Sequence, residues 1–200
     1  MLQFALAIAL VTAPAHASIP AWTAAFPAKW ELRPISQPAQ QTAPKSTFQL
    51  AALDLSQPAR GHVLVFLSAR CPCSASHEKK LRELAHEFTP QGFTFTAIHS
   101  NSDEPEAFAR EHFAKLDLGF PIREDAGSKL ADALGALKTP HAYIISSDGR
   151  LLYQGGVDDS TIADNSKSQF LRDALTDLKQ GREPQLAQAR SLGCIIKRPN

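Results

Sequence analysis

The stretch HVLVFLSARCPCSASH, residues 62–77, decides how the rest of the chain is read. His62 to Leu67 is an apolar run with the length and β-branched content of a buried strand. It stops at Ser68, and an amphipathic helix begins near Pro72. Cys71 and Cys73 fall at that strand-to-helix junction. The free N–H groups and positive dipole end of a helix stabilise an anion, so a cysteine placed there ionises more readily than a free one. Arg70 adds a positive charge beside it. The position points to redox chemistry, with metal binding as the main rival; a cysteine that only packs sits more often in the middle of an element.

Strands and helices then alternate. After Cys73 a helix buries Leu81, Leu84, Ala85 and Phe88 at i, i+3, i+4, i+7, with Glu78 and Arg82 paired on its wet face. Pro90-Gln91-Gly92 ends it, and Phe93 to His99 alternates as a second strand. Asp103, Pro105 and Glu106 have the spacing of a helix start with a capping box, before a helix that buries Phe108, Ala109, Phe113 and Leu116. Phe120 to Arg123 is a brief strand, and Ser128 caps a helix with Leu130, Ala133, Leu134 and Leu137 on one face. Ala142–Ser147, Asp148-Gly149 and Leu151–Gln154 read as a hairpin. A last helix, about 168–179, turns Phe170, Leu171, Ala174, Leu175 and Leu178 inward. Upstream, Phe48, Leu50 and Leu53 suit a short leading strand, with Pro58 and Gly61 turning into the central one. This order implies an α/β sandwich around a mixed sheet.

VLVFLSARCPC before a helix, with KTPHAYII some sixty residues later, resembles the thioredoxin-like superfamily, and most of all its redoxin branch, which includes the alkyl hydroperoxide reductase and thiol-specific antioxidant proteins. The resemblance covers about residues 46–196 and implies a thioredoxin-like sandwich, a central mixed β-sheet flanked by helices. It makes Cys71 the attacking cysteine and Pro140 a cis-proline facing it, with Thr139 and His141 beside a substrate. Members usually carry C-x-x-C, whereas this chain reads Cys71-Pro72-Cys73-Ser74, so Ser74 stands where the resolving partner is usual.

Residues 1–17 are almost entirely apolar or small and end in Ala15-His16-Ala17, the A-x-A pattern of a cleaved secretory signal. Its apolar core of about ten residues is too short to span a bilayer. The expectation is an exported mature chain from Ser18, in an oxidising space such as a bacterial periplasm. Residues 18–46 form a Pro/Ala/Gln-rich arm, extended over 36–44, with Trp22 and Trp30 as anchors; residues 47–200 form the domain and its cysteine-bearing tail. The net charge of +1 with signs interspersed excludes a nucleic-acid stripe and a polybasic membrane patch, and no second apolar segment is long enough to cross a membrane.

Cys194, in SLGCIIK, is the third cysteine. Gly193 frees the backbone and Ile195-Ile196 can dock the tail, which brings Cys194 to Cys71 or Cys73 as a resolving thiol or as a tether. A Cys71–Cys73 bridge must form before the helix is regular, because i and i+2 lie roughly 200° apart around a helix. His77, four residues after Cys73, shares its face. Asp158, Asp159, Asp164 and Asn165 form an acidic loop whose spacing fits capping and solvation better than calcium.

The leading expectation is a thiol–disulfide oxidoreductase: Cys71 attacks a disulfide of a protein partner, and Cys73 or Cys194 resolves the mixed disulfide. The thiols carry the chemistry and no dissociable cofactor is required. A peroxiredoxin-like peroxidase with antioxidant activity is the nearest alternative: Ser68 fits that family's Ser/Thr position, but Leu64 stands at its proline. A copper-binding thioredoxin-like chaperone using Cys71, Cys73, His77 and His141 is a third reading.

Overall fold

Every residue of the strand Gly61–Leu67 is buried, and the sheet is laid out around it. The computed structural model describes residues 59–199, together with the backbone alone of 29–31, 33–34 and 52–54. The signal and linker stretches, the Trp22 and Trp30 side chains, Phe48, Leu50 and Pro58 lie outside the described residues.

In chain order the strands are β1 (Lys29–Glu31), β2 (Arg33–Pro34), β3 (Ala52–Asp54), β4 (Gly61–Leu67), β5 (Phe93–His99), β6 (Ile122–Glu124), β7 (Lys138–Thr139), β8 (His141–Ile145), β9 (Leu151–Gly155) and β10 (Cys194–Ile195). The helices are α1 (Pro72–Phe88), α2 (Glu106–Ala114), α3 (Lys129–Leu134) and α4 (Phe170–Lys179). A six-stranded sheet runs β2-β6-β5-β4-β8-β9. Strands β4, β5 and β6 are parallel, while β8 is antiparallel to β4, β9 to β8 and β2 to β6. The sheet is mixed and the fold is α/β, as the alternation of elements implies. Two small antiparallel pairs, β1 with β3 and β7 with β10, stand outside it.

Alternation along β4 builds a layer on each face. Val63, Val65 and Leu67 pack with Leu81, Leu84 and Phe88 of α1, Phe113 of α2, and Leu171 and Leu175 of α4. Leu64 and Phe66 pack with Leu130, Ala131 and Leu134 of α3 and with Ile196 from the tail. Each fully buried Leu or Phe is worth about 1.5–3 kcal/mol, so three such residues hold α1 far more firmly than helix propensity does. Pro72 opens α1 where no N–H partner is required. Gly92, at φ +89, makes the left-handed step that leads into β5.

Several local expectations are corrected. Within the stretch 18–46, Arg33–Pro34 pairs with the edge of the sheet as β2, and the rest of the expected arm lies largely outside the described residues. The capping box at 103–106 does not form: Pro105 is the N-cap of α2 and no side chain caps it. Phe108 is exposed and lies under Arg70. Ser128 does not cap α3, because its hydroxyl donates to Ser100 O; the Asp125 carboxylate takes that role, accepting from Leu130 N and Ala131 N at 2.9 Å each. Ala131 is buried in place of Ala133, and Leu137 is exposed. Glu78 meets His112 and Arg82 donates to Asp117 O, so the two are not hydrogen-bonded to each other, although the Arg82 charge still acts on Glu78.

Candidate active site

Cys71 is the N-cap of α1 and is 3 % exposed. Its Sγ lies 3.1 Å from Thr139 O, to which the thiol donates when protonated. The Thr139–Pro140 peptide bond is cis, and it closes β7 immediately beside this sulfur.

The tail brings the third cysteine to the same place. It is tied down in steps: Ala189 N donates to Gln154 O, Ser191 Oγ to Pro140 O, and Ile196 N to Leu137 O. In β10, Cys194 is in register with Thr139 and Ile195 with Lys138. Gly193 permits the approach, since at φ +149 a Cβ there would sit 1.9 Å from Thr139 O. Of the two isoleucines only Ile196 docks; Ile195 is 64 % exposed. The sulfurs of Cys71, Cys73 and Cys194 all lie within 4.8 Å of one another, and all three are unbonded thiols.

That grouping splits their acidities. Burial pushes the Cys71 thiol up, but hydrogen bonds from Cys194, Thr139 and the Ser74 backbone outweigh it and bring it down to about 7. The Thr139 hydroxyl is buried and has no hydrogen-bond partner among the described residues, which leaves its proton to the Cys71 thiolate. Cys194 is pushed up to about 12 by burial and then by its hydrogen bond to, and the charge of, Cys71. Cys73 is raised by burial and by the charge of Cys71. One thiolate is therefore held by neighbours that stay protonated. Arg70 is not among its stabilisers: the guanidinium donates to Asp103 O at 3.1 Å and stacks over Phe108.

The expected histidines stand apart from the sulfurs. His77 is buried, with Nδ1 2.7 Å from Cys73 O and Nε2 3.1 Å from Asp158 Oδ1. Asp158 is itself buried and also accepts from Lys80 and from Ser160 N, so this part of the acidic loop braces α1. Asp159 accepts from Lys167 N and Ser168 N. His141 packs on Tyr143 with ring centroids 4.6 Å apart, and burial followed by the Lys138 charge lowers it to about 4. Neither His77 nor His141 joins the sulfur group, which corrects the four-residue copper set. Ser68 Oγ donates to Glu104 Oε1, so it does not face the site as a peroxidase Ser/Thr would.

Sequence reasoning missed Glu104. Its carboxylate is buried and accepts from the Ser68 hydroxyl, from Ala69 N at 2.8 Å and from Arg70 N at 3.3 Å, clamping the loop that ends in Cys71. His99 backs it, with Nε2 2.9 Å from Glu104 and Nδ1 2.9 Å from Glu124. Burial pushes the His99 imidazole down, but these two carboxylates raise it to about 9. Glu104 is raised by burial and lowered on balance by His99, Ser68 and Ala69 N. The link is tertiary: His99 ends β5 in register with Leu67, the last residue of β4 before the cysteine loop.

The Redoxin family profile matches residues 37–170. Among curated proteins, the chain is 27 % identical over 105 residues to the thiol-disulfide oxidoreductase ResA of Halalkalibacterium halodurans, covering 52 % of this chain and 58 % of that protein. Among solved structures, an uncharacterized conserved protein from Geobacillus kaustophilus is 28 % identical with TM-score 0.69, over 86 % of this chain and 89 % of that one. The exposed lipoprotein thioredoxin Etrx1 of Streptococcus pneumoniae strain TIGR4 superposes with TM-score 0.50 at 19 % identity, over 64 % of this chain and 87 % of that one, a likeness of fold alone. The profile spans well over half of the 200 residues and includes the cysteine loop, β7 and the cis-proline: the chain belongs to the Redoxin family.

Proposed function

We propose that this chain is an exported thiol–disulfide oxidoreductase in which Cys71 attacks and Cys194 resolves. The observation that carries the reading is the three-sulfur group: a buried sulfur at a helix start, with a second thiol delivered to it by a separately anchored strand. The Cys71 thiolate attacks a partner disulfide, forming one S–S bond and releasing one partner thiolate. Cys194, once deprotonated, then attacks Cys71 Sγ, closes Cys71–Cys194 and releases the second partner thiol. The partner is reduced by two electrons and the protein is oxidised by two. Cys73, in the first turn of α1, is the weaker resolving thiol, because a bridge to Cys71 has to unwind that turn.

A protein substrate is favoured by the exposed Leu137, just before β7, and Ile195, next to Cys194 in β10. The name of the Halalkalibacterium relative supports the reaction class. Export rests on the apolar 1–17 stretch, and a bacterial periplasm is the compartment proposed. No helix among the described residues is long and apolar enough to cross a membrane.

The test sets reduced protein against a protein disulfide and against hydrogen peroxide in parallel stopped-flow assays. Disulfide exchange is expected to be the faster reaction, since Ser68 is committed to Glu104. Rapid oxidation by peroxide with negligible exchange would make the protein a peroxidase instead.

A further inference from the structure

We propose that Cys71, Cys73 and Cys194, when reduced, bind one Cu(I) ion as a three-thiolate site. The three sulfurs already lie within 4.8 Å of one another. A trigonal ion with metal–sulfur bonds of about 2.3 Å holds its sulfurs about 4.0 Å apart, so closing the site needs side-chain rotation rather than refolding.

The donors come from two separately anchored segments: the start of α1, which carries Cys71 at its N-cap and Cys73 in its first turn, and β10, which sets Cys194 opposite Thr139. Such a set is held in place before the ion arrives. All three donors are soft, which selects a soft ion.

The number of donors narrows the choice. No histidine or carboxylate among the described residues joins the three sulfurs. His77 is spent on Cys73 O and Asp158, and His141 on Tyr143. Zinc takes four ligands in a tetrahedron and would have to recruit water, whereas Cu(I) is satisfied by three sulfurs. Binding releases the thiol protons to solvent and moves no electrons. A disulfide between any two of the cysteines removes two of the three donors, so copper loading and disulfide exchange exclude each other.

The experiment supplies Cu(I) anaerobically to the reduced full chain as its bicinchoninate complex, with Zn(II) titrated in a parallel arm. The wild type is expected to withdraw one Cu(I) per chain, and X-ray absorption should show three sulfurs at about 2.3 Å. Cys73→Ser and Cys194→Ser should each weaken binding more than about 100-fold, beyond what losing a ligand's hydrogen-bond partner costs. Circular dichroism of both variants checks that they fold, and disulfide exchange on the same wild-type batch keeps the two uses of the thiols separable. No copper withdrawn by an exchange-competent protein, a two-sulfur spectrum, affinity unchanged in Cys194→Ser, or Zn(II) held more tightly than Cu(I) would each overturn the proposal.

Discussion

A Cys71→Ser protein is expected to exchange with a disulfide at least about 100-fold more slowly than the wild type at pH 7. With its thiol at about 7, Cys71 is half ionised at that pH, whereas Cys194, at about 12, is almost wholly protonated. Intrinsic nucleophilicity rises with thiol basicity but recovers only about half of that deficit on a logarithmic scale. Burial is the leading cause of the elevation in both Cys73 and Cys194, so removing the Cys71 charge does not free either to replace it. The wild type carries a matching signature. Site-resolved alkylation of Cys71 should rise with pH and level off above about 7, and Cys194→Ala, which leaves no donor there, should move that midpoint upward, because the Cys194 hydrogen bond is the largest of the lowering contributions. Exchange that persists in Cys71→Ser, or a wild-type midpoint at the ordinary value of about 8.5, would contradict this assignment.

Glu104→Ala is expected to destabilise the fold by about 3–5 kcal/mol in denaturant melts, the range for removing one partner of a buried ion pair. The change strands His99 with Glu124 alone and leaves the Ser68 hydroxyl and Ala69 N without their acceptor. It also unclamps the loop that presents Cys71, so exchange should slow as well. The pH dependence has a definite sign. His99 is raised from about 6.5 to about 9, so its contribution is complete below about 6.5 and is lost as pH rises through about 9. Glu104 is lowered, so its contribution is present above about 4.5 and is lost as pH falls. The wild type should therefore be most stable between these limits, and Glu104→Ala should flatten both flanks. A loss below about 1 kcal/mol would show that the clamp is dispensable.

The central strand, the start of α1 and the grouping of the cysteines were legible because each has a local cause. An apolar run, a proline at a helix start, and a glycine beside a tail cysteine are all written in adjacent residues. Glu104 was not legible, since in the sequence it sits among Asp103, Pro105 and Glu106 and reads as helix-start acid. Only the parallel pairing of β4 with β5 turns it under Ser68. His77 misled for a related reason. Its spacing from Cys73 is right for a shared face, but Asp158, eighty-one residues on, claims the ring. Arg70 failed likewise, drawn away by Phe108 and the Asp103 carbonyl. Local chemistry was readable; the partners brought in by tertiary contact were not.

The most direct measurement is disulfide mapping by mass spectrometry on wild-type protein oxidised by its substrate and quenched with an alkylating agent. A Cys71–Cys194 bridge with Cys73 alkylated is expected, formed with the reduction of one partner disulfide per chain. Oxidised protein whose only bridge is Cys71–Cys73, with Cys194 fully alkylated, would contradict it.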